Sequence, residues 1–239
     1  MRKYLIAANW KMNPPPKGWD AKDSPYRPQE KIEVVVFPTH LDLQACAKAG
    51  LTTGAQSGRP EQTGAFTGDV SMQMVQALGC RYVLCGHSDR RAFHLESDAF
   101  VAEQAAAAIT HALIPIICIG ETETERDAGK SKAVIERQVK PLKLTNDCII
   151  AYEPVWAISR GDPNRPAATS ADAEEMHAFI RSLLPKDLRD HIRLLYGGSM
   201  KASNVKELLA QPNIDGGLVG GASLKPEEFR EIVKIASEK

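Results

Sequence analysis

The feature that most restricts the fold of this chain is an alternation: eight short apolar runs, each closed by a polar or glycine-containing break, with helical patterns between most of them. The runs cover residues 4–8, 34–37, 51–56, 82–85, 114–119, 148–152, 192–195 and 217–219. Each is too short for a buried helix. Several are apolar at nearly every position, as in Val34-Val35-Val36-Phe37 and Ile116-Ile117-Cys118-Ile119, which suits parallel strands covered on both faces. Parallel strands need crossovers, and helical spacing is plain in Met176, Phe179, Ile180, Leu183 and Leu184, with Ser170 or Asp172 as N-cap, and again in the alanine-rich stretch 102–113. No composition shift marks a linker. The expectation is therefore an α/β fold, one (β/α)₈ barrel spanning residues 1–239 as a single domain.

The first crossover breaks the pattern. Residues 14–30 contain five prolines (Pro14, Pro15, Pro16, Pro25 and Pro28), and an interior proline destabilises a helix by about 3 kcal/mol. The first helix should be missing or reduced to a turn. A doubly wound open sheet shares the same alternation and stands as the rival architecture, but no Gly-x-Gly-x-x-Gly follows the first strand.

Charge and cysteine usage narrow the function. Lysine plus arginine number 30 and aspartate plus glutamate 30, so no excess charge steers the chain toward nucleic acid or an anionic membrane surface. Any anion must be bound by a local site. The five cysteines show neither a Cys-x-x-Cys pair nor metal-ligand spacing with histidine and lie mostly in apolar runs, a pattern of buried thiols in a reducing compartment. The N-terminal apolar stretch is too short for a signal peptide and no run reaches membrane-spanning length, so a cytoplasmic protein is expected.

In a parallel barrel chemistry is sought at the carboxyl ends of the strands. Asn9-Trp10-Lys11 follows the first run, His87 the fourth and Glu153 the sixth, while Gly197-Gly198-Ser199 and Gly220-Gly221 follow the seventh and eighth. Singly, each has a plain structural explanation: a solvated lysine, a capping histidine, a carboxylate ending a strand beside Pro154, ordinary glycine turns. Together they deal a base, an imidazole, a cation and two anion cradles to strands that a barrel brings to one mouth. Backbone N–H groups at Gly220-Gly221, with Ser199 as a further donor, suit a phosphate, and Lys11 can neutralise it. His87, Glu153 and Lys11 form no sensible metal-ligand set. A carboxylate, an imidazole and a cation, without a serine or cysteine nucleophile beside the histidine, point to proton abstraction next to a carbonyl, the enediolate being met by His87, Asn9 and Lys11.

Six motifs, Ala-Asn-Trp-Lys-Met-Asn (8–13), Gly-Ala-Phe-Thr-Gly (64–68), Cys-Gly-His-Ser-Asp-Arg-Arg (85–91), Tyr-Glu-Pro-Val-Trp-Ala-Ile (152–158), Tyr-Gly-Gly-Ser (196–199) and Gly-Leu-Val-Gly-Gly-Ala-Ser-Leu (217–224), run in order over nearly the whole chain and closely resemble the triosephosphate isomerase family. The resemblance implies cofactor-free interconversion of dihydroxyacetone phosphate and D-glyceraldehyde 3-phosphate in glycolysis and gluconeogenesis. It implies Glu153 as base, His87 as electrophile, and Asn9 and Lys11 as substrate contacts, with Ser159, Gly161, Ser199, Gly220 and Gly221 binding substrate and Asp89, Cys118 and Thr67 in supporting positions. A histidine kept neutral by a helix N-terminus is an established pattern in this family, and His87 precedes a plausible helix start at Ser88-Asp89. A lid after Trp156 and a homodimer are further implications.

The sequence departs from the family at four places. The lid reads Ser159-Arg160-Gly161-Asp162-Pro163-Asn164-Arg165-Pro166 in place of the usual glycine-rich run. Asp89 replaces a glutamate, so a bond to Lys11 is expected to need a backbone shift or a water. The third loop begins Gln56-Ser57 where Gln-Asn is usual, and with the altered first crossover this predicts a remodelled dimer interface. The alternatives are another phosphate-binding barrel, which would not need Asn9, Lys11, His87 and Glu153 together, and a catalytically impaired barrel that only binds a sugar phosphate.

Overall fold

The computed structural model describes residues 2–158 and 167–239. Eight parallel strands form one sheet: β1 (Leu5–Asn9), β2 (Glu33–Phe37), β3 (Gly54–Ala55), β4 (Tyr82–Cys85), β5 (Ile114–Ile119), β6 (Ile149–Tyr152), β7 (Arg193–Tyr196) and β8 (Gly216–Val219). Their order is β2-β1-β8-β7-β6-β5-β4-β3. A parallel bridge between Val36 and Thr53, with the Val36 N–H donating to the Thr52 carbonyl at 2.9 Å, brings the two end strands together. The sheet thus curls into a nearly closed barrel, and the open-sheet rival falls away.

Alternate residues of each strand explain the near-continuous apolar runs. Leu5, Ala7, Val35, Phe37, Leu84, Ile116, Ile149, Ala151, Leu195 and Leu218 pack with one another inside the ring. Their neighbours, such as Ile6, Ala8, Val34 and Val36 on one side and Val83, Ile117 and Ile150 on the other, face the outer layer. Both faces of the strands are buried, so most positions on either face are apolar. The floor of the barrel is an exception: Glu33, at the start of β2, pairs with Arg193 at 2.7 Å and accepts from the Tyr82 hydroxyl. Paired in this way, a carboxylate can sit among apolar neighbours.

The described helices are α1 (Leu43–Lys48), α2 (Met72–Ala77), α3 (Ser88–His94), α4 (Asp98–Thr110), α5 (Glu123–Asp127), α6 (Ser131–Val139), α7 (Ser170–Leu183), α8 (Val205–Leu208) and α9 (Pro226–Ser237). The alanine-rich helix begins earlier than expected because the Ser97 side chain caps it. Capping of α7 falls to Thr169, neither Ser170 nor Asp172; Asp172 instead closes a capping box with Thr169. None of the described helices is long and apolar enough to cross a membrane.

No helix joins β1 to β2. The crossover is a chain of turns, with the N–H groups of Trp19, Ala21, Ser24 and Arg27 each donating to the carbonyl three residues back. The Arg27 guanidinium ties it down by donating to the carbonyls of Ala21, Asp20 and Ala49 at 2.7, 2.6 and 3.0 Å. Where a helix would have buried a stripe, one side chain fills the space: Tyr26 meets Trp10 edge-on at 5.3 Å and stacks on Phe229 of α9 at 4.9 Å between centroids.

Candidate active site

The carboxyl ends of the strands surround a cavity of about 460 Å³ lined by Asn9, Lys11, His87, Glu153, Ser199, Gly220 and Gly221, among others. Residues from β1, β4, β6, β7 and β8 and the segments that follow them are therefore brought together in one place. Ser159 and Gly161, which complete the expected substrate set, lie outside the described residues, as does most of the expected lid.

Glu153 is buried, 2% exposed, just past β6, where its own N–H donates to the Ile119 carbonyl at 2.7 Å. Its two carboxylate oxygens are both engaged. Oε1 lies 3.0 Å from His87 Nε2, and Oε2 accepts the Ser88 N–H at 2.7 Å. Two glycines make room for it. A Cβ on Gly120 would overlap the Glu153 carbonyl oxygen, and one on Gly197 would stand 2.7 Å from the Glu153 Cγ. The Cys118 thiol lies buried beside Glu153; burial, and then the neighbouring carboxylate charge, push its pKa well above the usual thiol range, so it stays a neutral packing group.

His87 is the N-cap of α3, and its Nδ1 accepts the Asp89 N–H at 3.0 Å. An N–H pointing at Nδ1 requires a lone pair there, so the ring proton sits on Nε2 and the imidazole is neutral. Nε2–H then faces Glu153 in the sense of donor to acceptor. The sequence placed a helix start at Ser88-Asp89; the geometry adds the tautomer, which no sequence pattern carries.

Lys11 lines the same cavity. Its Nζ meets Asp89 Oδ2 at 2.8 Å, and its Cε comes within 3.5 Å of where a Gly220 Cβ would stand. The aspartate thus reaches the lysine directly, so of the two expected routes, a backbone shift or a water, no water is needed. Lys11 itself adopts φ 51°, a left-handed conformation that disfavours a side chain by about 1–2 kcal/mol. Local hydrogen bonds hold that conformation: its N–H donates to Asn9 Oδ1 at 3.0 Å, and its carbonyl accepts from Gln56 Nε2 at 2.8 Å. Gln56 also donates to the Phe37 carbonyl at 2.9 Å, so one amide links the ends of β1 and β2. Neither Gln56 nor the Ser88 amide was given a site role by the sequence. For Gln56 the available signals were its position at the end of the third apolar run and its match to the first residue of the usual Gln-Asn pair.

The two glycine loops complete the rim. Gly220 leads into a 3₁₀ turn, Gly221–Leu224, in which the Ser223 hydroxyl donates to the Gly220 carbonyl at 2.7 Å. The Ser199 hydroxyl donates to the Ala157 carbonyl at 2.9 Å, tying the loop after β7 to the turn after β6. Thr67, the third of the supporting residues, stands exposed in the loop between β3 and α2 and does not line this cavity.

A family model described as triosephosphate isomerase matches residues 4–236. Proteins named triosephosphate isomerase share the full length of the chain: that of Chloroflexus aurantiacus is 45% identical over 255 residues, covering 98% of this chain and 99% of its own. Its counterpart from Carboxydothermus hydrogenoformans is 45% identical over 253 residues at the same coverage, and that of Magnetococcus marinus 41% identical over 254 residues, with 98% of each chain covered.

Proposed function

The chain belongs to the triosephosphate isomerase family, and from that premise we propose that it interconverts dihydroxyacetone phosphate and D-glyceraldehyde 3-phosphate, with Glu153 as the base and His87 as the proton donor to the substrate oxygens. The observation that carries this assignment is the 3.0 Å approach of His87 Nε2 to Glu153 Oε1 inside a cavity that also holds Lys11 and the glycine loops. A triose entering between them takes over both partners. Glu153 removes a proton from one carbon and returns it to the neighbouring carbon. The Nε2–H of His87 and the ammonium of Lys11 meet the negative charge that develops on oxygen. Asn9, whose amide oxygen is held by the Lys11 N–H, presents its NH₂ as a further donor. The phosphate is held at Gly220 and Gly221, beside Ser199, which lines the same cavity.

A barrel reduced to sugar-phosphate binding would be free to lose the base or the imidazole, whereas both are present and joined here. A coupled assay of the purified protein with D-glyceraldehyde 3-phosphate tests the activity directly: turnover is expected, and phosphate binding without turnover would refute it. Homodimerisation through the loops that follow β1, β2 and β4 is part of the same proposal. Met12, Leu41, Phe93 and Leu95, all in those segments, are exposed by 94, 94, 74 and 84% and form apolar surface suited to a second copy of the chain. The loop carrying Thr67 would then reach the partner's site. A cytoplasmic location accords with five unpaired cysteines.

A further inference from the structure

The helix-free first crossover reaches the anion cradle through one side chain. Tyr26 is fully buried, its ring held between Trp10 and Phe229, and its hydroxyl donates to the Ser223 carbonyl at 2.7 Å. Ser223, 197 residues away in sequence, is itself buried and belongs to the turn that opens with Gly220 and Gly221. Its hydroxyl donates to the Gly220 carbonyl at 2.7 Å and lies 3.4 Å from the Asn9 carbonyl. In a helical turn carbonyls point toward the C-terminal end and N–H groups toward the N-terminal end. A donor seated on the Ser223 carbonyl therefore fixes the turn from the end opposite Gly220 and Gly221. Burial pushes the Tyr26 phenol far above its usual pKa, so the hydroxyl keeps its proton and remains a donor.

We propose that Tyr26 is a positioning residue for phosphate binding: through the Ser223 carbonyl and the Ser223-to-Gly220 hydrogen bond, the remodelled crossover sets the orientation of the glycine amides that receive the phosphate. The inference rests on the proposed function, in which Gly220 and Gly221 hold that group. It gives the proline-rich segment a second task besides filling the space of a helix. The turns tied by Arg27, and the bond from Arg230 of α9 to the Asp23 carbonyl at 2.9 Å, keep Tyr26 in register.

Tyr26→Phe keeps both ring contacts and removes only the hydroxyl. A neutral hydrogen bond corresponds to about a 2- to 12-fold change in an equilibrium constant. The expected result is a rise of that size in KM for D-glyceraldehyde 3-phosphate and in the inhibition constant of inorganic phosphate, with kcat within about twofold of wild type. Turnover of unphosphorylated D-glyceraldehyde, which does not use the cradle, should likewise stay within about twofold. A variant that melts earlier but keeps its KM and phosphate inhibition would overturn the inference. So would an equal loss on both substrates, which would mean general damage to the mouth. Hydrogen exchange of the wild-type protein gives a second test that needs no variant: titration with inorganic phosphate should protect the amides of Ser24, Tyr26 and Arg27 at the same half-saturation as those of 220–224. Protection confined to 220–224 would refute the coupling. A wild-type protein that neither turns over the triose nor binds phosphate would instead refute the function and this inference together, a pattern distinct from unchanged constants in Tyr26→Phe beside an active parent.

Discussion

Replacing Glu153 with glutamine tests the chemistry and the hydrogen-bond logic of the site at once. Three donors point one way: the Asp89 N–H to His87 Nδ1, His87 Nε2–H to Glu153 Oε1, and the Ser88 N–H to Glu153 Oε2. A glutamine has one carbonyl oxygen and one NH₂, so one of the last two contacts becomes donor against donor. The histidine cannot relieve the conflict by changing tautomer, because Nδ1 is already taken by the Asp89 N–H. A buried donor left unmatched destabilises by about 1–3 kcal/mol. For a chain of this size each kcal/mol lowers the melting temperature by about 2–4 °C, so a fall of about 2–12 °C is expected. Loss of the base should lower kcat by on the order of 10²- to 10⁴-fold while phosphate-analogue binding persists. Steady-state assays in both directions and calorimetric melts read the two effects separately. An unchanged kcat removes Glu153 from the base role. An unchanged melting temperature means the donor chain is wrongly oriented, and ¹⁵N shifts of the His87 ring should then place the proton on Nδ1.

Gly120→Ala should prevent normal folding or cost several kcal/mol, because its Cβ would overlap a backbone carbonyl that has no rotamer to give; a variant with parental melting temperature would contradict that packing. Burial alone would raise the Glu33 pKa, but the bonds from Tyr82 and Arg193 and the charge of Arg193 outweigh it and hold the group below its ordinary 4.5. A depressed folded-state pKa contributes stability that is present above pH about 4.5 and lost as pH falls through the lower folded value, so Glu33→Gln should weaken the protein at neutral pH and flatten the acid limb of a urea-midpoint profile. Should the profile keep its slope, Glu33 is not the group that titrates. Phe93→Asp combined with Leu95→Asp should shift the protein toward monomer in gel filtration over a dilution series, and an elution volume identical to that of wild type at every concentration would place the interface elsewhere.

Strands β4 and β5 were legible to the residue because every position from Tyr82 to Cys85, and nearly every one from Ile114 to Ile119, is buried, leaving no polar position to blur the ends. The third run was not. Residues 51–56 were read as one strand, yet only Gly54 and Ala55 pair in a ladder. The carbonyls of Thr52 and Thr53 are taken by the N–H groups of Val36 and of Arg81 and Tyr82, so the segment is stitched to both neighbours without regular register. Such stitching depends on where the neighbouring strands end, which composition and period do not record. In the site the residue types were legible and their connections were not. The bond from Asp89 to Lys11 was expected to need a backbone shift or a water; it is direct, and the left-handed backbone at Lys11 is held by Asn9, two residues before it, and by Gln56 from the end of the third run, a partner that local sequence does not reveal.

The missing first helix shows how the fold separates what must be kept from what can change. Asn9 and Lys11, His87 and Glu153 are delivered by β1, β4 and β6, whose own ladders hold them whatever covers their outer face. The crossover after β1 has a lesser duty, to bury Trp10 and the flank of α9, and a single tyrosine between two aromatic rings does so without helical hydrogen bonds. Yet a large side chain that fills a helix's place brings a polar end with it, and a buried hydroxyl must find an acceptor. The acceptor within reach is the Ser223 carbonyl behind the phosphate cradle. Substituting packing for helix therefore ties a segment remote from the reacting atoms to the loop that grips the substrate, and variation in that segment should appear in affinity before it appears in the chemical step.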